Sequence, residues 1–407
     1  MVSWSRKLEV LVLGLALVAM VVAFTGCPKP IEEEPVMVEE PMGEQVGEPM
    51  GEPFKVGGIF DTTGKAAALG EPERDTAKMI EEQVNSAGGI DGRPLEIIIR
   101  DTKGEETEAL KAVKELIEKE NVLAVVGPSR SGTTLGIIDY IEKSETPLVS
   151  CAAAVKITTP VKKWVFKTPQ TDAHAVETIY KYLNEQNISK VAALTASNAF
   201  GEGGLEQLKG QAEAAGITVV AEEQFADADK DMTAQLTKIK GTDAEAVVCW
   251  GIGPAPSLIA KKVTELQMGI PLIMSHGVAN KKFIEGAGDA ANGVVFPAGR
   301  LIVADQLPED DPQKETLLKY AEDFRAKYDR DPDTFGGHAW DAVHLVVMAL
   351  KEVGEDKEGI RAAIESTTDF TGIGGIFNYS AEDHYGLTAE AFVMVVIEDG
   401  EWKLIAD

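Results

Sequence analysis

The chain has little of what most catalytic and nucleic-acid-binding proteins use. It contains three cysteines in 407 residues, Cys27, Cys151 and Cys249. Two widely separated internal thiols make neither a disulfide framework nor a C-x-x-C metal or redox motif. Both close apolar runs, which predicts buried free thiols. The histidines, at 174, 276, 338, 344 and 384, show no H-x-x-x-H spacing, so no metal centre is expected. Basic residues are in deficit: Lys and Arg number 39 against 67 Asp and Glu, for a net charge of −28. That balance argues against nucleic acid or anionic lipid as the main partner. The pair Gly251-Ile-Gly253 lacks the third glycine of a dinucleotide site. No cofactor is implied and an enzyme is not expected.

What is present begins with the only long apolar run, VLVLGLALVAMVVAF at 10–24. It is short for a membrane span, which takes about 20 residues. With Arg6 and Lys7 before it and Gly26-Cys27 after it, it reads as a secretory signal over 1–26. Gly-Cys at the exit resembles a lipobox, with Cys27 as the lipidated mature N-terminus. The alternative is an uncleaved anchor helix. Either way the bulk of the chain is expected on the outer face of the cytoplasmic membrane. Residues 27–53 are rich in proline and glutamate and lack apolar periodicity. They cannot bury enough surface to offset chain entropy, and read as a disordered tether.

From Phe54 onward apolar runs alternate with helical patterns. The runs include KVGGIF (55–60), LEIIIRD (95–101), VLAVVG (122–127), PLVSCA (147–152), KVAALTA (190–196), AEAVVCWG (244–251) and IPLIMSH (270–276). Helical stretches such as 106–120 and 203–216 lie between them. Strand and helix alternating at this spacing predict an α/β fold of parallel sheets with helices on both faces. A body of this length exceeds one typical core, so two Rossmann-like lobes are expected. Ligands of open α/β sheets bind beyond the carboxyl ends of the strands. The informative segments are therefore those after each run, among them 61–71, 127–134, 150–155, 197–204, 250–256 and 275–280.

The loop VVGPSRSGTT (125–134) is the most telling of these. Gly127 and Gly132 have phosphate-loop spacing, but Thr133 stands where the lysine is required. Gly127-Pro-Ser129-Arg-Ser131 ends in serine and so misses the G-x-S-x-G nucleophile elbow. Exposed N–H groups and hydroxyls after a strand suit a small anion, including a carboxylate. The plainer alternative is helix N-capping by Ser129 or Ser131.

The order of several stretches resembles a known family. These are GGIDGRPLEIIIRDTKGEETEALKAVKELI, VLAVVGPSRSG, TPLVS, FKTPQTDAHAV, FGEGG, FADADKDMTAQLTKIKGTDAEAVV and WDAVHLVVMAL. Together they resemble the type I periplasmic binding proteins of the leucine/isoleucine/valine-binding branch, solute receptors of ABC importers. The resemblance runs from Phe54 to Asp407. It implies two lobes joined by a three-crossover hinge, one of 54–172 plus 301–378 and the other of 173–300 plus 379–407. It implies a monomer with a small carboxylate ligand between the lobes, delivered to the importer's permease subunits. By the same resemblance Ser131 donates to the ligand carboxylate, joined by the backbone N–H groups of Ala152, Ala153 and Ala154. Leu69, Phe200 and Ile252 become the apolar walls.

The chain departs from that family at several of these places. Ala154 stands where a threonine is usual, Phe200 where a tyrosine is, and Leu69 where an aromatic often is. His276 occupies the place of the acid that pairs a ligand ammonium. Its plainer reading is a satisfied core or surface histidine. Asp61, Glu71 and Glu202 are the candidates to replace the missing carboxylate, each more commonly a solvated charge. Titration of His276 near its ordinary pKa of about 6.5 is expected to tighten an acid ligand as pH falls. An apolar or aromatic carboxylic acid is expected to fit better than a branched-chain amino acid. A sensory receptor of the same fold is the rival function, and nothing in the chain separates it from transport.

Overall fold

The computed structural model describes residues 49–405. Within them the apolar runs form two main sheets. The first has the order β2-β1-β3-β4-β5, from β1 (Phe54–Phe60), β2 (Leu95–Asp101), β3 (Ala124–Val126), β4 (Leu148–Ser150) and β5 (Val165–Lys167). All of its neighbours pair in parallel, in registers such as Val56 with Ala124 and Val126 with Val149. The second sheet draws on β6 (Lys190–Ala196), β7 (Thr218–Phe225), β8 (Ala246–Trp250), β9 (Leu272–Met274) and β10 (Val295–Ala298). After a short separate pair, β11 (Phe370–Thr371) and β12 (Ile376–Phe377), the chain adds β13 (Val393–Glu398) and β14 (Glu401–Leu404) to it. Its order is β14-β13-β10-β9-β8-β6-β7, parallel from β7 to β10 and antiparallel beyond.

The strands read as unbroken apolar runs because both faces of each sheet are covered. Val56 and Phe60 of β1 join a core with Ala339, Val343 and Val346 of the helix Thr334–Val353. Ile59 points the other way, into a core with Val113 and Leu116 of the helix Glu106–Glu118. In β8, Val247 and Cys249 serve one core and Ala246, Val248 and Trp250 the other. This is the two-residue period of a strand. Cys151 and Cys249 are buried free thiols, as their positions in apolar runs predict.

Three passages join the sheets: after β5, after β10, and between β12 and β13. The sequence-predicted α/β architecture of two parallel-sheet lobes with a three-crossover hinge is thus the observed one. Element ends differ slightly. The second predicted helix starts at Ala199 rather than 203, because the Asn198 side chain caps it by accepting from the N–H groups of Phe200 and Gly201. The expected stop at Gly216 holds, in a left-handed conformation (φ 69°). The signal segment, Cys27 and the tether up to residue 48 lie outside the described residues.

Candidate ligand-binding site

Both sheets have a point where strand order reverses, between β1 and β3 and between β6 and β8. The four segments leaving those strands carry Leu69, Ser131, Phe200 and Ile252, and all four line one cavity. This is the place where an open α/β sheet offers its strand ends to a ligand. Ala152, Ala153, His276 and Gly277 come from the segments after β4 and β9. Phe335 and His338 complete the wall from the first turns of the helix Thr334–Val353. Larger hollows occur elsewhere, about 250 Å³ beside Arg325 and Trp402 and about 620 Å³ beside Gln83 and Asp323. Neither collects strand ends from both sheets; a third, about 330 Å³ beside Lys65 and Pro254, does, but it lacks Ser131, Phe200 and His276.

Local geometry separates the two serines of the opening loop. Gly127 has φ of 90°, and a Cβ there would lie 2.1 Å from the Ile59 carbonyl oxygen. Only glycine permits so tight an exit from β3. Ser129 is then held: its hydroxyl donates to Glu73 and accepts from the Asp61 N–H at 3.1 Å. Ser131 accepts from the Ala154 N–H at 3.3 Å. That leaves its own proton to give. Neither serine caps the short helix Ser131–Leu135, which has no side-chain cap, so the capping alternative is set aside.

On the opposite wall Gly204 lets the helix Ala199–Ala215 lie against Trp250; a Cβ at Gly204 would sit 2.4 Å from the indole. Trp250, Phe200 and Phe392 then surround the His276 ring, with centroids 5.8, 5.4 and 5.5 Å away. Neither ring nitrogen of His276 has a hydrogen-bond partner among the described residues. The same is true of His338 Nδ1, Trp250 Nε1 and both oxygens of Asp172. Asp172 is fully buried, and its Oδ1 lies 3.8 Å from His276 Nε2. Burial raises its pKa, against the attraction of Lys167 and a nearby Trp250 N–H that falls short of full hydrogen-bond geometry. Lys167 is also fully buried and donates to the Ala153 carbonyl at 2.6 Å. Burial pulls its pKa down, opposed by Asp172.

Several sequence expectations change here. Ala154 does not line the cavity; its N–H is given to Ser131, and it borders a neighbouring groove with Glu202. The three acids named as substitutes for the missing carboxylate are elsewhere engaged or placed. Glu71 pairs with Lys282 at 2.7 Å, Glu202 lines that groove, and Asp61 accepts from Thr102. The acid beside His276 is Asp172. The expected titration of His276 is also corrected. Burial, helped by repulsion from His338 and Lys167, pushes its pKa down to about 3, and burial does the same for His338. Both rings are neutral well below the ordinary value of about 6.5. Their NMR signals are therefore expected to stay at neutral positions from about pH 8 to about pH 5. A His276 midpoint between those values in a histidine-selective titration would contradict this.

The site is non-catalytic in character. Its polar groups are hydroxyls, amides, two imidazoles and the Arg130 guanidinium, which pairs with Asp227, set among apolar side chains, which fits solute recognition. A family description, periplasmic binding protein, matches residues 53–401. The chain belongs to that family. This periplasmic binding protein is similar to the Leu/Ile/Val-binding protein BraC3 of Rhizobium johnstonii, 26% identical over 86% of this chain and 93% of the relative. It is similar in structure to an extracellular ligand-binding receptor from Rhodopseudomonas palustris HaA2. There the TM-score is 0.82 at 27% identity, covering 87% of this chain and 100% of that one. A third likeness is the branched-chain amino acid transporter substrate binding protein LivJ of Streptococcus pneumoniae, solved with isoleucine. Its TM-score is 0.78 at 27% identity, covering 87% of this chain and 99% of the other. The protein is a solute-binding protein and not an enzyme.

Phe335, His338, Asp172 and Lys167 escaped the sequence reading. The first two stand some two hundred residues from Ser131 in a helix that reads as plain core. For the other two a signal existed: a lysine ending the apolar run WVFK, with an aspartate five residues on, is an unusual end for a buried strand.

Proposed function

We propose that this binding protein is an extracytoplasmic receptor for a small carboxylate-bearing solute, an apolar amino acid or an apolar carboxylic acid. In this reading it hands the solute to the permease subunits of an ABC importer. The observation that carries the proposal is the Ser131 hydroxyl, its proton uncommitted, at a cavity with apolar walls between the two sheets. A buried carboxylate needs several donors. Ser131 supplies one and the Ala153 N–H a second. The Ala152 and Ala154 N–H groups already donate to Ser150 and Ser131, whereas that of Ala153 has no acceptor among the described residues. Leu69, Phe200, Ile252 and Phe335 would cover the apolar part of the solute. The isoleucine bound by the Streptococcus relative supports a ligand of this size and polarity.

Entry requires motion. The cavity volume is about 30 Å³, room for a water or two. The lobes 54–172 plus 301–378 and 173–300 plus 379–407 would part at the three passages and close over the solute. Rim ion pairs join the two sides when closed: Arg130 with Asp227 at 2.7 Å, Glu71 with Lys282 at 2.7 Å, and Lys156 with Glu206 at 2.5 Å. Each is at least partly solvated and worth little alone, so opening stays easy. The body would act as a monomer tethered by a lipid on Cys27.

The test uses protein recovered from the membrane fraction. Intact mass should show Cys27 as a lipidated N-terminus. A screen of small carboxylates should find a ligand that, at about 100 times its Kd, adds about 2.7 kcal/mol of stability. The same ligand should lower the radius of gyration in solution scattering. A broad panel without a binder, or a binder that leaves the radius unchanged, would sink the receptor-and-closure proposal.

A further inference from the structure

The cavity of about 330 Å³ beside Lys65 and Pro254 has the size of a small-molecule pocket, and the proposed solute grip leaves it unused. Segments leaving both sheets line it. Lys65 and Ala68 follow β1, Pro254 and Ser257 follow β8, and Asn280 and Lys282 follow β9. The two sides come close beside it: a Cβ on Gly253 would lie 3.1 Å from the Lys65 carbonyl oxygen.

The polar groups at this cavity favour an anion. Its lining holds two lysines and no acidic side chain. Lys282 shares its charge with Glu71, 2.7 Å away. Lys65 has no ion pair and no side-chain hydrogen bond among the described residues, so it is the main cation. Asn280 is only 7% exposed. Its Oδ1 accepts from the Phe283 N–H at 3.1 Å and caps the helix Lys281–Ala287. Its Nδ2 has no acceptor among the described residues. An unsatisfied amide donor is therefore what this buried side chain presents to the cavity it lines, and leaving such a donor unpaired is costly. Two longer helices also start here. Ala67–Ser86 and Ala255–Glu265 have neither a side-chain cap nor an acidic residue in the first turn. The N–H groups of Ala68 and Ser257 have no acceptor among the described residues. Free N–H groups and the helix dipole both favour negative charge at such starts.

We infer that this cavity is an anion subsite, separate from the Ser131 grip, which takes a carboxylate or phosphate group on Lys65, the Asn280 amide and the two helix starts. A cation would meet no acid in the lining. The chain as a whole is strongly acidic, so the attraction is local and acts within a Debye length, about 8 Å at physiological salt. The anionic group can come from two sources. One is a free small oxyanion, which needs nothing from Ser131. The other is the far end of a solute that carries a second acid, and that source rests on the grip proposed at Ser131.

The first probe is inorganic phosphate, titrated into the full chain by calorimetry with sodium chloride holding the ionic strength constant. Binding should saturate. Asn280→Asp keeps a capping oxygen and replaces the donor by a negative charge. It should weaken phosphate by about ten- to a hundredfold, the scale of a hydrogen bond to a charged group. Lys65→Glu should also weaken it, and Lys65→Arg should bind as wild type does. Lys65 is exposed, so its two variants carry the test if Asn280→Asp does not fold. The second probes are glutarate, adipate and suberate, each set against the monoacid of the same chain length. A diacid that beats its monoacid by about tenfold, and loses that advantage in both charge variants, identifies the second acid of a solute as the occupant. Saturable phosphate binding lost in the same variants identifies a free oxyanion. Phosphate that does not saturate, together with diacids no better than monoacids, overturns the inference. So does binding of either probe that survives both Asn280→Asp and Lys65→Glu. Monoacids that fail to bind count against the Ser131 grip and leave the phosphate result to decide this subsite alone.

Discussion

Replacing Trp250 with alanine is expected to lower folding stability by about 3–5 kcal/mol, the cost of truncating a large buried aromatic where the surroundings relax only in part. Trp250 ends β8 with no exposed surface. Its ring is clamped by the Gly204 backbone on one side and by Phe200 and His276 on another. The helix Ala199–Ala215 cannot simply slide in to fill the gap, because Asn198 fixes its start and donates to Asp227 at 2.7 Å. The cavity should therefore persist, and the Phe200 and His276 rings should lose their fixed orientation. Urea unfolding of the two proteins gives the difference directly. A loss below about 1 kcal/mol would mean that the helix collapses onto the strand, contrary to this packing account.

The second large effect separates two serines that stand two residues apart. Ser131→Ala is expected to weaken ligand binding by roughly 1.5–3 kcal/mol, the value of a hydrogen bond to a charged group, or about ten- to a hundredfold in Kd. Its stability should fall by less than that of Ser129→Ala, because only one buried donor, the Ala154 N–H, loses its partner, at about 1–3 kcal/mol. Ser129→Ala should do the reverse. Ser129 answers both the Asp61 N–H and the buried Glu73 carboxyl, whose pKa burial raises well above the usual range. Removing it leaves two buried polar groups unsatisfied, at about 1–3 kcal/mol each, with affinity affected only as far as the loop moves. Calorimetry and urea unfolding on the same two variants provide the comparison. An affinity loss confined to Ser129→Ala would show that the ligand carboxylate lies at the other serine.

The fold was legible because its signal is local and repeated. β2 and β6 begin and end where the apolar runs do: β6 is buried at nearly every position and so needs apolar residues throughout, and the edge strand β2 keeps them at its buried positions Leu95 and Ile97. The stop at Gly216 was legible for a local reason too: a left-handed helix end favours glycine. Seven of the eight proposed ligand-contact residues line one cavity, because the ends of parallel strands are the places where a loop can reach a ligand. Ala154 was placed one step too close. Nothing in the sequence says that its N–H turns toward Ser131 instead of the cavity.

By itself the sequence determined the α/β class, the two lobes, the segments that meet between them and the absence of metal or dinucleotide motifs. These follow from periodicity and from residue types that can be counted along the chain. The tertiary structure decided which hydroxyl is free, which acid stands behind His276 and whether that histidine can hold a proton. Those depend on burial and on distances between segments remote in sequence. Desolvation is a property of the surroundings, and it is what holds His276, ordinarily a titrating group, in its neutral form.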